Sequence, residues 1–202
     1  MSMPAKANQF ILAASDPYAA YLAYDSFTGS STLQAHTPEK GGAWTKTGGA
    51  INIDVASGAA GTNTNPSSEY GYYLDVGVAD VTITLPLLSI WQSYMGILFN
   101  YASAGNYWWY GPSVNNNAYM LFRVSGGTPT NIVNDLTNPP TSNSSATIKV
   151  VTSGDTINCY RNGNLSITQT IAGRPHKTGT KHGIYTGYSI PAQIFGSPFT
   201  IE

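Results

Sequence analysis

Thr147-Ile-Lys-Val-Val-Thr-Ser-Gly-Asp-Thr-Ile-Asn-Cys-Tyr-Arg-Asn-Gly-Asn-Leu-Ser-Ile-Thr-Gln-Thr-Ile171 holds three short runs rich in β-branched residues, separated by two turn clusters. Ile148 and Val150 alternate with Thr147 and Lys149, and Ser153-Gly154-Asp155 closes the first run. Ile157 and Cys159 alternate with Thr156 and Asn158 up to Asn162-Gly163, a pair suited to a two-residue hairpin loop that needs positive φ at both positions. Leu165 and Ile167 then alternate with Ser166 and Thr168. Period-two alternation places the apolar set on one face, which predicts a three-stranded antiparallel meander with one buried side. A meander alone is marginal in water. A second sheet must cover its apolar face, so the stretch calls for a two-sheet sandwich.

Outward from this stretch, the 202 residues fit one domain of the larger all-β type. Charged residues are only 9% of the chain, against about 25% in ordinary soluble proteins. Aromatic residues reach 12%, with 14 tyrosines. The polar surface is therefore built from Asn, Ser, Thr, Gln and Gly, which suits hydroxyl-rich ligands or extensive contact with protein. Net charge is −1, and no basic stripe is present to engage phosphates, which argues against nucleic acid as a partner. Cys159 is the single cysteine; on an apolar strand face it reads as a buried, inert thiol, and no intramolecular disulfide can form. No apolar run approaches the roughly 18 residues of a membrane span. Phe10-Ile-Leu-Ala-Ala14 is shorter than a secretory apolar core of about 7–15 residues, so the expectation is a cytoplasmically made protein without a cleaved leader.

In chain order, residues 1–23 read as an N-terminal arm or a first edge strand, and residues 24–202 as the sandwich. Leu33 to Trp44 is a loop with Trp44 as its anchor. Ala50–Val55 alternates as a strand, Ser57–Ser68 is a loop, and Tyr70–Val76 is a strand. Asp80 to Leu88 alternates cleanly, with Val81, Ile83, Leu85 and Leu87 on one face. Pro86 lacks an N–H, so this strand is expected to end or run along an edge there. Tyr94–Tyr101 has no polar face and reads as a central strand. Strands follow at 106–110, Tyr119–Val124, Asn131–Leu136, the meander, Gly179–Tyr185 and the C-terminal segment. No stretch shows helical periodicity. About twelve to fourteen strands with regular turns predict a large all-β, two-sheet antiparallel sandwich.

The order of these pieces resembles a known family. Asp25-Ser-Phe-Thr-Gly29, followed by Leu33-x-x-His-Thr-Pro-Glu-x-Gly-Gly-Ala-Trp44, is similar to the opening of concanavalin A-like (laminin-G-like) jelly-roll domains common in bacteriophage and bacterial surface proteins. Ser153-Gly-Asp-Thr-Ile-x-Cys-Tyr-x-Asn-Gly163 resembles the family hairpin. Gly179-Thr-Lys-His-Gly-Ile184 and Ile194-Phe195 to Phe199 resemble its last two strands. The resemblance spans about residues 24–202 and implies the jelly-roll fold; the sandwich itself carries lectins, hydrolases, adhesins and passive virion parts alike. Gly196 follows Phe195 where the family often has Asp, which argues against a metal site carried over from it.

A glycosidase needs two carboxylates flanking one bond. Laminarinase-like hydrolases of this fold carry Glu-x-Asp-x-x-Glu on one strand, and that spacing is absent here. Glu39, Glu69 and Glu202 fall in loops or at the terminus. His36, His176 and His182 lie in no nucleophile pattern and read as hydrogen-bonding loop residues. One Cys with scattered His offers no zinc site. Asp54, Asp75 and Asp80 show no calcium-ligand spacing. The expectation is a non-enzyme without metal or cofactor.

The most suggestive constellation is Asn106-Tyr107-Trp108-Trp109-Tyr110 with Asn115, Asn116 and Asn117 close by. On a strand, Tyr107 and Trp109 share one face, and Trp108 and Tyr110 the other. One pair belongs to the core. The other is either exposed on the concave sheet, where rings stack on sugar C–H faces beside Asn amides, or buried by the sandwich or a neighbouring subunit. Three functions follow. The first is a non-enzymatic bacteriophage virion protein, a capsid cement or decoration subunit at the virion surface. Its partners would be the major capsid protein and itself, as the homotrimer that the resemblance suggests. The second is a glycan-binding tail-fibre adhesin, and the third a glycoside hydrolase.

Overall fold

A computed structural model describes residues 15–48, 52–61, 70–90, 94–187 and 194–202. Among them are seventeen strands and no helix. The first seven are Ala23–Asp25 (β1), Ser30–Thr32 (β2), Thr45–Lys46 (β3), Asp54–Ala56 (β4), Ala59–Gly61 (β5), Tyr70–Asp75 (β6) and Thr82–Leu87 (β7). Met95–Ser103 (β8), Asn106–Ser113 (β9), Ala118–Ser125 (β10), Thr128–Asp135 (β11) and Ala146–Ser153 (β12) follow. Thr156–Arg161 (β13), Asn164–Thr170 (β14), Lys181–Thr186 (β15), Phe195–Gly196 (β16) and Phe199–Ile201 (β17) complete the set. They form two antiparallel sheets, a jelly-roll sandwich. One sheet runs β14-β13-β12-β7-β16-β5-β4-β2, with β17 and β1 beside the first half of β7. The other runs β11-β10-β9-β8-β15-β6-β3.

The stretch 147–171 forms β12, β13 and β14 in a meander, and β12 lies against β7 with Ile148 opposite Leu85 and Val150 opposite Ile83. All four side chains are fully buried. Asn162 and Gly163 take φ of 48° and 79°, the positive-φ pair that the two-residue loop demands. One expectation is corrected here. The register between β13 and β14 shifts after Cys159, so that Cys159 faces Ile167 while Tyr160 faces Leu165. The extra residue, Ser166, is a bulge and reverses the side on which the chain before it points. Leu165 is therefore 57% exposed and Ile167 only 4%. Leu165→Ser is expected to change stability by less than about 0.5 kcal/mol, and Ile167→Ala to cost about 2–5 kcal/mol. Urea unfolding of both variants checks the bulge, and equal losses would place the two side chains on one face.

Pro86 is also corrected: β7 neither ends there nor lies at an edge. Thr147 pairs with Pro86 from β12 on one side. On the other side the N–H groups of Thr82 and Leu88 donate to Glu202 and Ile194, so the even-numbered positions of β7 point towards β17 and β16. The missing N–H of Pro86 faces the gap between those two short strands, at Ser197-Pro198. A central strand tolerates a proline where its neighbour is interrupted. The segment read as a loop from Ser57 contains the short strand β5, and residues 62–68 of that reading lie outside the described residues. The edge strand β11 begins at Thr128, earlier than the alternation from Asn131 indicates.

The core lies between the sheets. Trp108, Tyr110, Phe99 and Tyr72 from one layer meet Ile83, Leu85, Ile148, Val150 and Cys159 from the other. Burial pushes the Cys159 thiol well above its ordinary pKa, as an inert core thiol requires. Two polar clusters tie the loops down. The buried Asp25 carboxylate accepts the Phe27 N–H (2.7 Å), the Trp44 indole N–H (2.6 Å) and a bond from His36 Nε2 (2.8 Å). Trp44 is thus the loop anchor that its place in the sequence indicates. Arg174, 1% exposed, donates from Nε to the Gly154 carbonyl and from Nη1 to Asn100 Oδ1, with Asp80 beside Nη2 at 3.6 Å. Of the segment read as arm or edge strand, residues 1–14 lie outside the described residues. Leu22 donates its N–H to Ile201, and Ala23 opens β1 against β17.

Candidate functional site: the aromatic face of the seven-stranded sheet

β9 divides its aromatic residues between two environments by parity alone. Trp108 and Tyr110 point into the sandwich core and are fully buried. Trp108 donates its indole N–H to the Pro175 carbonyl at 2.7 Å and stacks on Phe99. Burial drives the Tyr110 hydroxyl far above the ordinary tyrosine pKa. Tyr107 and Trp109 lie on the opposite face of the same sheet, in a second cluster with Leu98, Tyr101, Met120 and Tyr185. No described strand packs over that face. One pair is in the core and the other lies on the second face of the sheet, where Tyr107 is half-buried and Trp109 only 2% exposed.

Seven rings run across this face. Tyr73 stacks on Tyr101 at 4.9 Å between centroids, Tyr101 meets Tyr107 at 6.1 Å, and Tyr107 meets Tyr185 at 5.9 Å. Tyr185 continues to Trp109 at 5.6 Å, and Trp109 to Tyr94 and Phe122, each at 5.6 Å. These separations lie in the range in which rings attract beyond their buried area, so the seam is mutually supporting. Two shallow hollows open on it. One, of about 110 Å³, is walled by Tyr94, Tyr107, Trp109, Phe122 and Tyr185, with Val124 and Pro129. The other, of about 130 Å³, shares Tyr107 and Tyr185 and adds Thr47, Gly48, Tyr70, Leu98, Tyr101 and Ala104. Among the described residues, no charged residue lines either hollow. Lys181 stands at the β6 end, its ammonium 5.2 Å above the Tyr73 ring.

The asparagines are placed differently from expectation. Asn106 and the 115–117 turn sit at opposite ends of β9, separated by seven strand steps of about 3.3 Å each. Asn106 serves the loops: its amide donates to Ser103 Oγ (2.8 Å) and accepts the Gly126 N–H (3.0 Å). Asn117 takes φ of 48° to close the β9–β10 turn, a left-handed conformation that Asn tolerates well. Asn115 is exposed in the same turn. Asn116 alone reaches the aromatic face, donating to Ser113 Oγ (2.7 Å) and to the Tyr94 hydroxyl (3.4 Å).

The histidines stand apart from this face. His36 and His176 lie in loops, the latter against Ser125 Oγ at 2.9 Å. His182 is on β15, fully buried; its Nδ1 accepts the Asn100 N–H and its Nε2 donates to the Val78 carbonyl at 2.9 Å. Only the neutral ring makes both bonds, and burial pushes its pKa down to about 4. The unfolded chain therefore binds a proton near pH 6.5 that the folded chain refuses until about pH 4. Stability is complete above pH 6.5 and falls by about 3 kcal/mol as pH drops through this window. His176, also held below its ordinary pKa by burial, adds to the loss in this window, whereas carboxylates held low, such as Asp75 beside Thr180, act mainly below about pH 5. Urea midpoints from pH 7 to 4 for wild type and His182→Gln check this: the wild-type slope is expected to flatten in the variant, and an unchanged slope would assign the pH dependence elsewhere.

Asp75 accepts Thr180 Oγ1 and the Gly77 N–H, and Asp80 accepts the Gly154 N–H beside Arg174, so both carboxylates serve loops. No group of three or more His, Cys, Asp or Glu converges on a metal-sized site among the described residues. Tyr73, Tyr94, Tyr101, Phe122 and Tyr185 belong to the aromatic face but escape a reading centred on 106–110. The signal for them is the 94–101 run, apolar on both faces: a strand between two sheets needs only one apolar face, so the surplus marks a second apolar surface.

No family model matches the chain, and no curated protein matches its sequence. Solved structures match its shape. A carbohydrate-binding module, CBM66, from Bacillus subtilis superposes with a TM-score of 0.58 at 14% identity, over 79% of this chain and 94% of that one. Domain 4 of AbnA, a GH43 extracellular arabinanase from Geobacillus stearothermophilus in complex with arabinotriose, gives 0.58 at 15% identity, over 90% and 92%. A structure from endo-acting O-glycanases of the human gut microbiota gives 0.62 at 10% identity, over 90% and 98%. At these identities the likeness is one of fold, and the fold they share with this chain is the concanavalin A-like jelly-roll sandwich.

Proposed function

We infer that the protein binds a neutral glycan chain on the aromatic face of its seven-stranded sheet and does not cleave it. The observation that carries this reading is the seam of seven rings on a sheet face over which no described strand packs. Flat rings offer apolar platforms to the C–H faces of sugars, and Asn116, bonded to the Tyr94 hydroxyl, stands at the rim of the face. The described walls of both hollows are uncharged, which favours a neutral ligand. Hydrolysis would need two carboxylates about 5–10 Å apart across the bond, and no carboxylate among the described residues lines either hollow. On the same fold, the Bacillus subtilis module and the arabinotriose-bound domain make sugars the first ligand class to test.

The test is affinity electrophoresis against a panel of neutral polysaccharides, with an assay for released reducing ends. Retardation by at least one polysaccharide without new reducing ends is expected. No retardation by any of them, or release of ends, overturns the reading.

A second reading, a virion surface subunit such as a capsid cement trimer, is favoured by the 9% charge content and by the same aromatic face, since interface cores are aromatic and poor in charge. A glycan-binding tail adhesin would unite the two readings. For the cement reading, the protein is expected to form a small symmetric oligomer and to be taken up by purified virus heads. A monomer that heads ignore removes it.

A further inference from the structure

A third hollow, of about 330 Å³, opens away from the aromatic face, between the loop 138–145, the turn at 162–164 and Tyr119 at the start of β10. Its size falls at the lower end of small-molecule sites, about 300–1,000 Å³. Its walls are side-chain amides and hydroxyls, two prolines, one aromatic ring and a single charge, Arg161. Arg161 ends β13 with its guanidinium 4.9 Å over the Tyr119 ring. Its Nη1 donates to the Thr137 carbonyl at 2.8 Å and to the Asn138 carbonyl. Those contacts hold the plane of the guanidinium in place. The Nε and Nη2 hydrogens have no partner among the described residues.

The rest of the cleft is held just as firmly. Ile90 and the loop exchange backbone bonds, Asn143 N–H to the Ile90 carbonyl and Ile90 N–H to the Ser144 carbonyl, both at 2.8 Å. Asn162 Oδ1 accepts the Thr147 N–H at 2.8 Å. The side chains of Asn138, Thr141 and Ser145 have no partner among the described residues and line the hollow. Asp135, whose carboxylate accepts Ser166 Oγ and the Thr137 N–H, feels the charge of Arg161 but does not line the hollow.

We propose that this cleft is a second ligand site, independent of the aromatic face, for a sugar ring carrying a carboxylate, a uronate residue. The Nε and Nη2 edge of Arg161 is a fork of two parallel donors that matches a carboxylate, and the fork is already oriented by Tyr119 and two carbonyls. Asn138, Thr141 and Ser145 take the ring hydroxyls. A lone guanidinium amid hydroxyls and amides fits one carboxylate on a polyol better than a phosphate cluster, which calls for several cations. An acidic peptide is held by a cluster of arginines or along an unpaired strand edge, whereas the described lining has one arginine among loop and turn side chains.

The test is NMR titration of the protein with glucuronate and galacturonate, against glucose, galactose, acetate and an acidic peptide. One uronate is expected to shift resonances of Arg161, Tyr119 and the 138–145 loop at least tenfold more tightly than its neutral counterpart or acetate. Arg161→Lys keeps the charge but loses the fork, and is expected to weaken binding about tenfold. Because Arg161 also holds the loop, Asn138→Gly serves as a second variant: it keeps the positive-φ backbone, removes the amide, and is expected to weaken binding at least threefold. Tyr107→Ala leaves this site unchanged. No shift with either uronate, equal binding of acetate, shifts confined to the aromatic face, or preference for the acidic peptide would each overturn the proposal.

Discussion

Replacing Tyr107 and Tyr185 together by alanine is expected to weaken glycan binding by at least about 30-fold. These two rings wall both hollows and join the two halves of the seam. Central, packed aromatic residues are where binding free energy concentrates, at about 2 kcal/mol or more per residue, and about 1.4 kcal/mol is a factor of ten. Tyr107, half-buried, is the ring to remove first, since its loss disturbs packing least. Tyr107→Phe keeps the platform and is expected to hold affinity within about threefold, as stacking rather than the hydroxyl carries the contact. Titration calorimetry with the polysaccharide found by electrophoresis measures both, and thermal unfolding confirms that each variant is folded. A double alanine variant that binds as wild type would move the site off this face.

Trp108→Ala is expected to have the largest effect on stability, a loss of about 3–5 kcal/mol. For a domain of this size that corresponds to a melting point lower by roughly 10 °C. The indole is fully buried, stacks on Phe99, and satisfies the Pro175 carbonyl. Alanine leaves both a cavity and an unpaired carbonyl. Any loss of glycan binding in this variant should follow the folded fraction. Urea unfolding measures the first effect, and binding at a temperature where the variant is folded measures the second. A stability within about 1 kcal/mol of wild type would remove Trp108 from the core; a binding loss in fully folded protein would give it a direct role. The contrast with its neighbour in sequence, on the opposite face of the same strand, is the sharpest check on the orientation of β9.

How much of this was legible in the sequence depends on the range of the interaction that decides it. The alternation of Val81, Ile83, Leu85 and Leu87, and of Ile148 and Val150, needs only the two-residue period of a strand, and the buried faces are the ones that it names. Asn162-Gly163 needs only local φ preferences, and the turn is there. Parity likewise separated Trp108 and Tyr110 from Tyr107 and Trp109. Leu165 escaped because a bulge opposite Cys159 is a property of a pair of strands, invisible in either one alone. Pro86 escaped because its tolerance depends on a gap in a neighbour more than a hundred residues away in the chain.

The candidate site shows the same division. An all-β sandwich with an excess of apolar strand faces was determined by the sequence alone, because alternation and turn chemistry are local and their sum leaves few architectures. Which of two aromatic faces belongs to the core, which tyrosines from β6, β8 and β15 join Tyr107 and Trp109, and where Arg161 finds Tyr119 were decided only by tertiary structure. Each depends on which strands lie side by side, and that order is chosen by the packing of the whole core rather than by any segment within it.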